Sequence, residues 1–376
     1  MGVHPGVRIA GAGLHPFGRF ADRTAIDMAV VAVRAALAEA GDPRIDAAFC
    51  GTAYSGVAAG HRVLARLART GVPIIDVEAG CASGAAALAL GAQAIRSGER
   101  DTVLVFGMEK MPKGMIRSSF FEPWQEAAGL TPAPAYFALR AQRLMRDAGL
   151  TKEHLAQVVV KNRANGAANP DALFQERVTV DEVLASRVVC EPLHLWMLCS
   201  PDEGAAAVVL ARGAGGVQLR AAALRSHLPG SVLDESTPLA GLVDDAAIIA
   251  PTALAADDAF AAAGVDAHDV DVVECQDTDA ARELIAYEEL GLCRSGEQAR
   301  LLSDGDAHLG GRCPVNPSGG LLSKGEPLGA SALGQVVELV HQLRGEAGAR
   351  QVGGAKVALA HTVGRGANAS VVLLSR

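Results

Sequence analysis

The sequence predicts an α/β fold built from two half-length copies of one unit, and three observations carry that prediction. Strand-like apolar runs alternate with amphipathic helical stretches from residue 7 onward. Half of the 376 residues are hydrophobic, only 4% are aromatic and 42 are glycine, so the core is Ala, Val and Leu packed closely around glycines, as helix-on-sheet packing needs. Matching segments also recur. GAAAVVLAR (204–212) closes the first half and GANASVVLLSR (366–376) the second, while GCASGAAALALGAQAIRSGE (80–99) is echoed by NPSGGLLSKGEPLGASALGQVVELVHQLRGE (316–346). A chain of this length exceeds one ordinary core and divides here into halves at 1–215 and 216–376.

The elements follow in order. VRIAGAG (7–13) reads as a strand, and TAIDMAVVAVRAALAEAG (24–41) as a helix with a Thr cap and a Gly stop. PIIDVEAG (73–80) is a strand ending in a tight turn, residues 82–98 form a helix apolar on nearly every side, and DTVLVFGMEKM (101–111) is a buried strand. Residues 112–200 lose this rhythm and hold both tryptophans, in FFEPWQ and PLHLWML, which marks an inserted cap or loop region. In the second half VQLRAAAL reads as a strand, a helix follows near 251–264, and VDVVECQD is a buried strand entering a loop.

A formal charge of -8 without a basic run disfavours nucleic acid and anionic membranes as partners. Seven scattered cysteines with no CxxC suggest neither a disulfide framework nor a zinc site, and fit a reducing cytoplasm. The start MGVHPGVRIAGAG lacks a secretory pattern, and the uncharged stretch 79–95 is slightly short for a bilayer. No GxxxxGK[ST] occurs, and VRIAGAGLHPFG lacks the third glycine of a dinucleotide fingerprint. No cofactor is expected.

Cys81 raises the central question, because it follows a strand and precedes a helix. There, unpaired N–H groups and the positive helix end favour a thiolate, and small neighbours admit a substrate. A small, merely buried core thiol accounts for the same spacing.

GCASG, CSPDEGAAAVVLA (199–211), NPSGGLLSKGEPLGAS (316–331) and HTVGRGANASVVLL (361–374) together resemble the thiolase superfamily over essentially the whole chain. VRIAGAGLHPFGRF and ARELIAYEELGLC (281–293) resemble the branch of sterol-carrier-protein-type thiolases and bacterial lipid-transfer thiolase-like proteins. The resemblance implies a five-layered α/β/α/β/α fold, a homodimer, a coenzyme A thioester as substrate and an acylated cysteine, here Cys81. It also implies that a small zinc-ribbon/OB-fold protein can be a partner.

Two motifs depart from that family. Glu326 stands where the GHP motif places a histidine, and Gln276, Asp277 and Thr278 fall where the branch carries HDCF. Both acid/base providers are thus replaced, which argues against ordinary thiolysis. His361 is the expected base, Glu326 a second acid/base or a solvated turn residue, and the N–H groups of Cys81 and Val363 the expected oxyanion donors; Asn316 belongs to the same motif set. His194 and Trp196 are read as core or cap residues, and Tyr287, one of three tyrosines with Tyr54 and Tyr136, as packed within its helix. The expected activity is acyl transfer through Cys81 from an acyl-CoA or acyl-carrier thioester to a nonstandard acceptor. The alternatives are a retro-aldol lyase acting on a β-hydroxyacyl-CoA and a noncatalytic subunit of a complex.

Overall fold

The computed structural model describes residues 6–112, 123–127, 129, 132–228, 249–364 and 368–376. The start of FFEPWQ and the Gly-rich stretch 365–367 lie outside the described residues. The strands are β1 (Val7–Gly18), β2 (Ala47–Gly51), β3 (Ile74–Val77), β4 (Thr102–Lys110), β5 (Val188–Cys190), β6 (Leu193–His194), β7 (Glu203–Arg212), β8 (Val217–Ser226), β9 (Val272–Cys275), β10 (Val357–Gly364) and β11 (Asn368–Ser375).

Nine strands share one sheet in the order β3-β2-β4-β7-β1-β8-β11-β10-β9, and β5 with β6 forms a separate hairpin. The two arms meet at β1 and β8 through only Arg8↔Gln218 and Ile9↔Val217. Outward from that seam each arm repeats one plan. The first strand pairs antiparallel with the last strand of its half (β1 with β7, β8 with β11), which pairs antiparallel with β4 or β10; parallel strands complete the arm.

The layers follow from which faces the helices bury. Helices Ser83–Arg96 and Leu328–Arg344 pack on each other and each touches both arms, so they are buried almost all round. Helix Ala25–Glu39 covers β1, β7 and β4 on the outside, and helix Pro251–Ala263 covers β8 and β11. The result is α/β/α/β/α. Close approach in the central layer depends on glycine: a Cβ on Gly107 would lie 2.0 Å from the carbonyl oxygen of Gly329, and one on Gly84 3.0 Å from it.

Between β4 and β7 the strand rhythm gives way to helices Ala133–Ala148, Lys152–Gly166 and Val180–Ala185 and the β5–β6 hairpin. The first two pack against helix Ala280–Glu289 of the second half, so this excursion roofs the space between the arms' ends. Among the described residues no helix is long and apolar enough to cross a membrane.

Candidate active site

The turn that presents Cys81 is fixed locally. Gly80 takes φ +59°, and Ser83 Oγ accepts from the Ala79 N–H at 2.9 Å while donating to the Gly80 carbonyl at 2.6 Å. Cys81 therefore lies immediately before helix Ser83–Arg96, 6% exposed and packed with Met111 and Leu328. The end of β10 closes on this turn, since a Cβ on Gly364 would lie 2.0 Å from the Ala79 carbonyl oxygen.

Cys81 lines a cavity of about 560 Å³ together with Cys199, Thr278 and Glu326, under aromatic walls from Phe137, Phe174 and Trp196. Glu326 is pinned from every side. Its N–H donates to the Ser200 carbonyl at 2.9 Å, its Oε1 accepts from Gln276 Nε2 at 2.9 Å, and its Oε2 accepts from the Cys199 thiol at 3.1 Å. Both oxygens thus face donors, the pattern of an acceptor-only carboxylate. Burial, reinforced by the Glu326 charge, pushes the Cys199 thiol well above its ordinary range, so Cys199 stays protonated as a donor. Behind Glu326, the Asp202 carboxyl is fully buried with neither oxygen hydrogen-bonded, and burial raises it well above the carboxylate range. Gly325, at φ +97°, admits that carboxyl, because a Cβ there would lie 1.9 Å from Asp202 Oδ2.

His361, the expected base to Cys81, does not lie among the residues that line this cavity. Successive side chains on β10 point to opposite faces. Thr362 Oγ1 donates to Gln335 of the central helix Leu328–Arg344 at 2.8 Å, so His361 faces the outer layer. Its Nε2 lies 3.0 Å from Thr252 Oγ1 and 3.5 Å from Arg282, and its ring is absent from the cavity lining. Burial, then the Arg282 charge, lowers its pKa well below the ordinary value, leaving a neutral structural imidazole.

The remaining predicted residues divide. The Val363 N–H donates to Gln276 Oε1, so this expected oxyanion donor is already occupied. Thr278 lines the cavity and donates to Asp279 at 3.3 Å, whereas Asp277 accepts from the N–H groups of Leu321 and Leu322 and holds the start of helix Gly320–Lys324. Asn316, at φ +56°, accepts from the Cys275 N–H at 2.8 Å and donates to Glu283 at 2.7 Å. Asp277 and Asn316 are scaffold, not lining. Tyr287 donates to Glu283 one helical turn away, as expected, and His194 is buried against the Ser186 carbonyl, whereas Trp196 forms part of the cavity wall. Two residues unmarked by the sequence reading, Cys199 and Arg163, also line the cavity. Cys199 opens the CSPDEG motif, a signal that could have pointed to it, whereas Arg163 sits inside a helix with no local signal.

A model described as "Thiolase, N-terminal domain" matches residues 7–214, and one described as "Thiolase C-terminal domain-like" matches 241–376. Sterol carrier protein 2 of Bos taurus is 36% identical over 394 residues, covering 98% of this chain and 72% of that protein. Acetyl-CoA acetyltransferase of Methanothermobacter thermautotrophicus is 36% identical over 390 residues, covering 98% and 99% of the two chains. Benzoylsuccinyl-CoA thiolase subunit BbsB of Thauera aromatica is 34% identical, covering 96% of each. The fold is shared with the solved Ltp2-ChsH2(DUF35) aldolase (TM-score 0.85, 24% identity, 98% of each chain) and with human mitochondrial 3-ketoacyl-CoA thiolase (TM-score 0.73, 18% identity, 99% of each chain). The chain belongs to the thiolase superfamily, in its sterol-carrier-protein-2 branch.

Proposed function

We propose that this protein is an acyltransferase that takes an acyl group from an acyl-CoA or acyl-carrier thioester onto Cys81 and passes it to an acceptor other than the usual thiolysis partner. The observation that carries this reading is that Cys81, at a helix mouth, and Glu326, with both oxygens on donors, line one cavity. Glu326 takes the Cys81 thiol proton. The thiolate attacks the thioester carbonyl, and the charge formed on its oxygen lies by the positive end of helix Ser83–Arg96. Collapse breaks the C–S bond to coenzyme A, whose thiolate recovers the proton from Glu326. An acceptor nucleophile then gives its proton to Glu326 and attacks the acyl-cysteine; its C–S bond breaks, and the departing Cys81 thiolate recovers that proton as a thiol. Assembly as a homodimer belongs to this proposal. Coenzyme A release, followed with a thiol-reactive dye, tests it: Cys81→Ala abolishes release, and Glu326→Gln slows it by about 10²–10⁴, the usual worth of a positioned base. Full activity in Cys81→Ala would overturn the reading.

A second reading is retro-aldol cleavage of a β-hydroxyacyl-CoA, favoured by the carboxylate at Glu326 and the absence of a histidine from the described cavity lining. Deprotonating a β-hydroxyl needs one base and no acyl-cysteine, so activity would survive Cys81→Ala and fall with Glu326→Gln. A small zinc-ribbon/OB-fold protein is the partner to add before either activity is scored.

A further inference from the structure

Arg163, on helix Lys152–Gly166, is 7% exposed and lines the cavity that holds Cys81. Its guanidinium lies 3.9 Å from the centroid of the Phe174 ring and 5.8 Å from that of Trp196. Those rings serve the cation's flat face, whereas its N–H donors point outward in its own plane. No hydrogen bond or ion pair meets them among the described residues, and Nε is buried without a partner. Burial lowers the pKa of this arginine to about 10, opposed by the charge of Glu176, which is itself exposed. A buried, unpaired cation is costly, and a planar fork is best satisfied by a carboxylate, which accepts two parallel N–H bonds.

The other charged groups lining the cavity are Arg187, exposed at its rim, and Glu326, whose oxygens are already engaged. Pro134, Phe137, Val189, Leu195 and Leu198 make the rest of the wall largely apolar. A cavity of about 560 Å³ is of the size that holds an acyl group, and Cys81 and Arg163 both line it. An acyl group attached at Cys81 is therefore the ligand that shares this space with Arg163.

We infer that Arg163 is a specificity-determining residue that binds a carboxylate carried by the acyl group, so that the protein's substrates are thioesters of dicarboxylic acids. The inference rests on the proposed thioester chemistry for its substrate, and it is tested by a readout independent of turnover. Succinyl-, glutaryl- and adipyl-CoA are each paired with the acyl-CoA in which a terminal isopropyl group replaces the carboxylate. Calorimetric Kd values are measured on Cys81→Ala protein, and acylation of the wild type is followed by intact mass. At least one acid thioester binds about tenfold more tightly than its neutral partner, the ratio expected of one charge-assisted contact. Arg163→Met erases that ratio, and Arg163→Lys, which keeps the charge but loses the fork, reduces it and serves as the probe where the Met variant fails to fold. Equal affinities within all three pairs, or a ratio untouched by both substitutions, overturns the inference. A persistent ratio without any acyl adduct leaves the subsite standing and defeats the acyl-transfer reading instead.

Discussion

A carboxylate at position 326 changes which protons the site can move. Glu326 accepts from Gln276 and Cys199 at once, so the two positions where thiolases carry catalytic histidines and HDCF residues have become one hydrogen-bonded unit. Gln276 also spans to the Val363 N–H, which ties Glu326 to the end of β10. Removing Gln276 releases both contacts; Gln276→Ala slows coenzyme A release at least about tenfold with little change in thermal stability, measured by the same dye assay beside a melting curve. His361 gives a prediction of the opposite kind. Its folded pKa is lowered, so the unfolded chain binds the proton first, and the stability is present above the unfolded value near 6.5 and is lost as pH falls below it. Between pH 7.5 and 5.5 the wild type loses more stability than His361→Gln in denaturant titrations, by on the order of 1 kcal/mol, while His361→Gln retains acylation of Cys81. Loss of acylation in that variant would return the imidazole to the mechanism.

At the scale of elements, the site depends on helix Leu328–Arg344 coming close enough for backbone contact with both β4 and helix Ser83–Arg96. Gly107→Ala pushes a methyl onto the Gly329 carbonyl, and equilibrium unfolding should show a loss of at least about 2 kcal/mol. Beneath the NPSGG loop, Lys161 pairs with Glu283 at 3.0 Å with both groups buried, and Glu283 also accepts from Asn316 and Tyr287. Lys161→Met strands that carboxylate and costs about 3–5 kcal/mol by the same measurement. The elements were the most legible part of the sequence because their signals are local: the Thr24 cap, the glycine turn at Gly80 and the apolar helix after Cys81 all stand as read. The face of a strand was not legible. Whether His361 or Thr362 looks toward Cys81 depends on which side of β10 the central helix occupies, and no residue near 361 states that. The Gln276–Glu326 contact joins residues 50 apart, and the Arg163–Phe174–Trp196 group comes from the excursion that has no strand rhythm, so neither had a local mark.

At the scale of the whole molecule, two arms meet at a two-pair seam and enclose a shared helical layer, so the first half supplies Cys81 and Cys199 and the second supplies Glu326 and Thr278 to one cavity, with Gln276 holding Glu326 from outside the lining. The helices within the two similar segments, 80–99 and 316–346, lie against each other in this layer. The central claim is that the cavity thiol at position 81 carries the acyl group. The direct measurement is peptide mapping by mass spectrometry after brief incubation with an acyl-CoA and an acid quench. The acyl mass is expected on the peptide containing Cys81 and on no other cysteine, with its formation slowed in Glu326→Gln; turnover with that peptide unmodified at every time point, or an adduct on Cys199 instead, would rule out Cys81 as the acyl carrier.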